Sequence, residues 1–491
     1  MHRHPRTACP LDGGLFVLFR QITDHGLSQY AYLVGCQRTG EALLIDPQRD
    51  IDRYDAVAAE EGLRITTVAE THIHADFVSG AREYAERDGI RLVLSNAGPP
   101  DWQYRWVGWG RATYLLVGGG DRFAVGNIDV QVRHTPGHTP EHIVFVITDR
   151  GGGADAPIGV ATGDFLFVGD VGRPDLLESA AGFTGMMRPS AEQLQVSLAQ
   201  VDGWPDFMQV WPGHGAGSAC GKAVGAVPFS TVGYERRFNG ALALAGDAGG
   251  AFVDAILTGQ PEPPPYFARM KQVNRDGPPL LGGVPSPPRL DVDAVAGDAS
   301  LLVLDTRRDR RLFMAAHLPG SLYAPATRQF SAAAGAYVDP QDSLVLLADE
   351  TDVDAAVRAL VRIGLDRVTG WIDAGDFDAW RAQGGSTGSI RRVGFADAAL
   401  PGAGRAWIDV RSASEHAADH VEGALHIAQS RLAVEQSRIP RGVPLTVHCA
   451  QGGRAALASA YLARLGFDVT YVDDDFAAWR AGTAGAPTPV G

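Results

Sequence analysis

The chain has 491 residues, of which 45% are hydrophobic and 20% charged, and a formal net charge of −14. That length exceeds what one hydrophobic core organises, so about two to four domains are expected, and the composition excludes wholesale disorder. The acidic balance argues against nucleic acid as a partner, since such binding needs a basic face to displace counterions, and favours a small metabolite.

The first apolar run, Gly14–Phe19, is too short for a membrane span or a secretory segment and reads as a first strand; a cytoplasmic protein without a membrane partner is expected. Cys9, Cys36, Cys220 and Cys449 are too scattered for a disulfide framework, so each is judged as a separate thiol, Cys9 and Cys36 as incidental or buried ones. Short β-branched runs at 42–46, 65–69, 91–94 and 128–132 alternate with turns and helical patterns, predicting a mixed α/β domain over residues 1–255. Within it, Thr71-His72-Ile-His74-Ala-Asp76 follows a predicted strand, where loops carry function. His134-Thr-Pro-Gly-His138-Thr-Pro-Glu-His142, Thr162-Gly-Asp164 and Pro212-Gly-His214 come later; His134 and His142 are read as structural.

The proline clusters at 261–265, 278–279 and 285–288 predict an extended connector over residues 256–290. Beyond it the sequence repeats. Leu302-Val-Leu-Asp-Thr-Arg307 matches Ala406-Trp-Ile-Asp-Val-Arg411, and Asp376-Phe-Asp-Ala-Trp-Arg381 matches Asp475-Phe-Ala-Ala-Trp-Arg480. Two copies of one small parallel-sheet α/β domain are therefore predicted, at 291–388 and 389–491.

In the second copy an apolar strand leads into Cys449-Ala-Gln-Gly452-Gly453-Arg454 and then a helix. In the first, Asp349 stands where Cys449 stands, followed by Glu350-Thr-Asp352-Val-Asp354, with neither the glycines nor the arginine.

The ordered histidine and aspartate loops resemble the metallo-β-lactamase superfamily, and the Cys449 loop resembles that of the rhodaneses. Together the arrangement is similar to the multidomain persulfide dioxygenase/sulfurtransferases. The resemblance implies an αββα sandwich followed by two rhodanese-like α/β domains, the first of them inactive. The superfamily's usual His-x-His-x-Asp-His loop here ends in Phe77, and that last histidine serves a second metal in two-metal members. One Fe(II) per chain is implied, held by His72, His138 and Asp164 by motif position, with open positions for a sulfur and O2. His74, Asp76 and His214 would hydrogen-bond those ligands or hold a second metal. Arg173, in a Gly-Arg-Pro-Asp turn, would grip a substrate carboxylate or tie its loop by a salt bridge. Cys220, with Lys222 nearby, is a buried thiol or a thiolate that accepts sulfane sulfur. In the rhodanese loop, backbone N–H groups and the helix N-terminus stabilise the Cys449 thiolate and persulfide, while Arg454 faces an anionic sulfur species.

The implied reaction oxidises a persulfide of glutathione or a similar thiol with O2 to sulfite, and Cys449 then passes sulfane sulfur to sulfite to give thiosulfate, as in sulfide detoxification. Two alternatives stay open: a zinc thioester hydrolase related to glyoxalase II with a sulfurtransferase domain, and a non-catalytic sulfur carrier. A homo-oligomer is left open as well.

Overall fold

Alternating burial along short strands builds the first half. In the computed structural model, which describes residues 17–179, 185–246, 250–398, 401–402 and 404–483, Val17–Asp24 pairs antiparallel with Gln29–Cys36, and that strand with Glu41–Ile45. Cys9 and residues 14–16 of the predicted first strand lie outside the described residues. Arg64–Ala69, Arg91–Ser95 and Thr113–Val117 add in parallel to complete six strands in sequence order. A second six-stranded sheet runs Ser230–Thr231, Gln209–Pro212, Gly159–Gly163, Ile143–Asp149, Ile128–His134, Arg122–Val125.

Because successive side chains point to opposite faces, each sheet offers two apolar surfaces. Tyr32, Val34, Leu43 and Ile45 of the first sheet meet Val130, Val132, Phe145 and Ile147 of the second. Their neighbours Leu33, Leu44, Val68 and Leu92 face outward onto Tyr54 and Ala58 of the helix Asp52–Glu60. On the opposite side Val144, Val160 and Val210 pack against Leu194 and Leu198 of the helix Met187–Leu198. The result is a helix–sheet–sheet–helix sandwich.

The two repeats fold as expected from their matched sequences. In the first, four parallel strands run Leu322–Tyr323, Leu301–Asp305, Ser343–Ala348, Val368–Asp373. In the second, five run Arg391–Val393, Val469–Val472, Leu445–His448, Ala406–Asp409, Leu425–His426, again in parallel. The copies touch through stacked rings of Tyr337 and Tyr461, with centroids 4.3 Å apart.

The connector expected to be extended over 256–290 is not extended throughout. The helix Ala251–Leu257 crosses its start, and Phe267–Asp276, lying between the proline clusters, is a ten-residue helix. Phe267, Met270, Lys271 and Asn274 form its buried stripe, at the i, i+3, i+4, i+7 spacing of an amphipathic helix. The prolines bracket this helix rather than interrupting it.

The first repeat shares a buried apolar cluster with the sandwich and the connector helix, Val78 and Met270 lying with Leu360 and Ile363, and is also tied to the sandwich by charge. Its helix Val353–Arg362, which follows Asp349, points Arg362 at Asp24 (2.7 Å) and Asp50 (2.9 Å) and Arg358 at Asp52 (2.7 Å). Arg49 reaches back to both oxygens of Asp366 at 2.8 Å. The segment after the strand Ser343–Ala348, which matches the Cys449 loop of the second repeat, is an acidic turn of 3₁₀ helix, Glu350–Asp352, leading into this docking helix. No helix among the described residues is long and apolar enough to cross a membrane.

Candidate metal centre and sulfur-transfer site

All four histidine and aspartate loops leave strand ends at one edge of the sandwich. Just past the strand Arg64–Ala69, Thr71 donates from its backbone N–H (2.7 Å) and its hydroxyl (2.8 Å) to Asp46, a residue held at φ +52° in the left-handed region. Since that hydroxyl proton is committed to Asp46, the oxygen accepts from Nδ1 of His72 at 2.9 Å, leaving His72 Nε2 with its lone pair. Nδ1 of His138 likewise donates to the Arg173 carbonyl at 2.9 Å, so its Nε2 is unprotonated and stands 3.5 Å from Asp164 Oδ2. Burial, reinforced by the charge of His74, holds His72 well below the ordinary imidazole range; burial also lowers His138, to about 4, against the pull of Asp164.

Asp164 is buried too, and burial opposes its charge, yet His214 holds it below the usual carboxylate range through its own charge and a 2.7 Å hydrogen bond. The Asp164 N–H donates to His142 Nε2 at 3.1 Å, while its Oδ2 has no hydrogen-bond partner. Ligand atoms of His72, His138 and Asp164 lie within 4.8 Å of one another. Two neutral imidazoles and one ionised carboxylate with an orphaned buried oxygen fit a divalent cation. This is a metal-binding site.

The other residues expected here support that trio through hydrogen bonds. His214 bridges Asp164 and Asp76, its Nε2 2.8 Å from Asp76 Oδ2; burial disfavours its charge, but the two carboxylates raise it to about 10. His74 turns to Asp46 (3.2 Å) and Glu70 (3.1 Å), which raise it despite burial. Phe77, fully buried, packs its ring 4.3 Å from that of His74 and supplies no ligand.

Arg173 makes the loop tie and not the carboxylate grip: its Nε and one terminal nitrogen bind both oxygens of Asp175 (2.7 and 2.6 Å). Its other terminal nitrogen donates to the Ala219 and Pro261 carbonyls. Cys220 comes beside Asp76 and His214, but burial and the Asp164 and Asp76 charges push its thiol up, which disfavours the thiolate. Lys222, whose charge was to assist it, instead donates to the Ala255 and Thr258 carbonyls.

Four contributors were not singled out from sequence. Asp46 and Glu70 hold the Thr71–His74 turn, and Glu141 accepts from the Ile73 N–H at 2.8 Å. Asn274, from the connector helix, donates to the His74 (2.9 Å) and Phe77 (2.7 Å) carbonyls and accepts from the Ser79 N–H. Its place in the buried stripe of Phe267–Asp276 was the available signal.

In the second repeat the strand Leu445–His448 delivers Cys449 to the N-terminus of the helix Gly453–Arg464, and the Ala455 N–H donates to its sulfur at 3.4 Å. Gly452 takes φ +84°, and a Cβ there would lie 2.7 Å from the Tyr471 hydroxyl and Asp473, so glycine is required. Arg454 is expected from sequence to face an anionic sulfur species; here it is paired bidentately with Glu415 at 2.6 and 2.7 Å. Arg454, Gln429 and Ser430 share a cavity of about 500 Å³ with Arg328 of the first repeat and with Ser28 and Gly217 of the sandwich, three residues beyond His214.

Two segments of the chain match known families. Residues 26–214 match the metallo-β-lactamase superfamily and residues 396–482 the rhodanese-like domain. The mitochondrial persulfide dioxygenase ETHE1 of Mus musculus is 31% identical over 170 residues, 34% of this chain and 60% of the relative. A hydroxyacylglutathione hydrolase of Rhodospirillum rubrum is 31% identical over 185 residues, 38% of this chain and 61% of the relative. The match thus spans about three fifths of each curated relative. A metallo-β-lactamase structure from Staphylococcus aureus is 40% identical with a TM-score of 0.66, covering 73% of this chain and 99% of that one, a longer stretch than the superfamily match alone. The chain belongs to the metallo-β-lactamase superfamily, its metal-site domain joined on the same chain to a C-terminal rhodanese-like domain.

Proposed function

We propose that this protein oxidises a low-molecular-weight persulfide with O2 to sulfite and transfers a second sulfane sulfur through Cys449 to give thiosulfate. The observation that carries the reading is the pairing of a two-histidine, one-carboxylate site, with Phe77 in place of a further histidine, with an intact Cys449 loop on the same chain. Bound at His72, His138 and Asp164, one Fe(II) would supply the redox chemistry that zinc lacks.

The chain's own groups set the conditions for that chemistry. The Thr71 hydroxyl and the Arg173 carbonyl fix the ring orientations of His72 and His138, and His214 keeps Asp164 ionised. Overall, a persulfide, O2 and water give the thiol, sulfite and two protons. At the second site the Cys449 thiolate attacks the outer sulfur of another persulfide, the S–S bond breaks and the carrier thiol leaves with a proton. Sulfite then attacks the outer sulfur of the Cys449 persulfide, releasing thiosulfate and the thiol.

Anaerobic loading with Fe(II) or Zn(II), followed by metal counting and assays for persulfide-dependent O2 uptake and thioester hydrolysis, tests the reading. One iron per chain with O2 uptake supports it. Two zinc ions with hydrolysis and no uptake would assign the chain to the hydrolases.

A further inference from the structure

The connector helix Phe267–Asp276 carries a buried cation that the site described above does not use. Lys271 is only 5% exposed, and its ammonium nitrogen has no hydrogen-bond partner. It sits 4.9 Å over the ring of Trp102 and lines a cleft of about 370 Å³ that includes Ile73, between His72 and His74 of the metal loop. Arg269, Gln272 and Arg275 of the same helix line that cleft, with Asp101 as its carboxylate. Arg275 is spoken for by Asp276 (2.8 Å), and one terminal nitrogen of Arg269 by the Ile363 carbonyl (2.8 Å).

A buried ammonium without a partner opposes folding, and water would satisfy it far better than this site does. Burial lowers Lys271 to about 8 while Glu141 pulls the other way, so the group is charged at neutral pH. Among the described residues no carboxylate forms an ion pair with it; Glu141, the charge that acts on it most, accepts from the Ile73 N–H at Oε1 and has Oε2 without a hydrogen-bond partner. The ammonium thus has the Trp102 ring and the more distant charge of Glu141 but no hydrogen-bonded anion, and Lys271 is one of the residues that line the cleft.

We infer that Lys271 anchors the carrier thiol: its ammonium receives a carboxylate or phosphate of the low-molecular-weight thiol whose persulfide end reaches the metal loop. This rests on the persulfide reading for the identity of the ligand, but not on any turnover. The helix adjoins Ile73 and, through Asn274, holds the His74 and Phe77 carbonyls, so one element both builds the loop and fixes the far end of the substrate. Lys271 lies beyond the 26–214 superfamily match, so this anchor belongs to the connector and not to the sandwich.

The test is calorimetric titration of the anaerobic, iron-loaded full chain with glutathione, glutathione diethyl ester and phosphopantetheine, for the wild type, Lys271→Met and Lys271→Arg. Lys271→Met is expected to weaken an anionic thiol by about ten-fold or more, the loss of one charge-assisted contact, and to leave the diester unchanged. Lys271→Arg restores most of that affinity. If glutathione shows the effect the anchored group is a carboxylate; if phosphopantetheine alone shows it, a phosphate. Thermal unfolding should put Lys271→Met at or above the wild-type Tm, because an unpaired buried charge has been removed. Equal affinity of Lys271→Met and wild type for all three thiols, or equal weakening of all three including the diester, overturns the inference. Absence of O2 uptake by the wild type would defeat the persulfide reading and leave this binding series to be judged by itself.

Discussion

Arg310 of the repeat that has no cysteine bonds Asp473 of the repeat that has one, with Nε 2.8 Å from Oδ1. Its terminal nitrogen reaches the Gln451 carbonyl inside the Cys449 loop at 3.0 Å. Asp473 also accepts from the Tyr471 hydroxyl at 2.9 Å, and that hydroxyl lies 3.1 Å from the Gly452 carbonyl. The Gln451 carbonyl of the loop is thus held from the other repeat, consistent with amides that face the sulfur. The repeat without a cysteine is part of the support of the Cys449 loop.

Arg310→Ala should therefore slow sulfur transfer from thiosulfate to cyanide by roughly three- to ten-fold, the worth of one or two partly exposed charged hydrogen bonds, without changing O2 uptake. Unchanged transfer would show the contact to be idle.

Asp349→Cys should not create a second sulfur site. The strand end is equivalent to that of Cys449, but a 3₁₀ turn of Glu350–Asp352 follows it where the active loop has its glycines and arginine. Placed in a Cys449→Ser background, the new thiol should form no persulfide on incubation with thiosulfate, read by mass spectrometry. A stoichiometric persulfide would mean that the residue type alone decides activity.

Arg362 joins the first repeat to the sandwich through buried partners, Asp24 and Asp50 being 5% and 1% exposed. Arg362→Met leaves the buried Asp24 without its salt-bridge cation, while Asp50 keeps Arg358 at 3.3 Å, a loss of about 3–5 kcal/mol at this interface. Limited proteolysis should then cut between residues 277 and 290 faster than in the wild type. Equal cutting rates would place the docking energy elsewhere.

The folds and the ligand loops were legible because each depends on local pattern: period-two strands, glycine-flanked histidines, and a repeat that can be aligned to itself. Phe77 and Asp349 were informative as departures from such patterns. What escaped was assembled by long-range contact. Asn274 reaches a loop about 200 residues earlier, Arg310 supports a loop in another domain, and Asp46 organises Thr71 and His74 from a neighbouring strand end. The proline clusters hid the helix that carries Lys271 and Asn274, although its own residues contain no proline. Charge assigned by adjacency also misled: Lys222 stands two residues from Cys220 but turns to carbonyls of another helix.

The repeat's Asp–Arg pair predicts an acid limit. Burial opposes the charge of Asp409, but Arg411, bonded at 3.0 and 2.6 Å, holds its carboxyl at about 2. A folded value below the unfolded one, about 3.9, gives stability that is present above pH 4 and lost as pH falls through 2, roughly 2–3 kcal/mol in all. Urea unfolding of the wild type and Asp409→Asn should differ widely at pH 6 and converge towards pH 2. A gap that is constant with pH would show that the carboxylate's charge contributes nothing.

The most direct test of the whole account is O2 uptake by the iron-loaded chain given glutathione persulfide, with sulfite and thiosulfate both quantified, for the wild type, Cys449→Ser and His72→Ala. The account predicts iron-dependent uptake with thiosulfate from the wild type, undiminished uptake with sulfite in place of thiosulfate from Cys449→Ser, and no uptake from His72→Ala. Uptake that survives His72→Ala, or thiosulfate that survives Cys449→Ser, would contradict it.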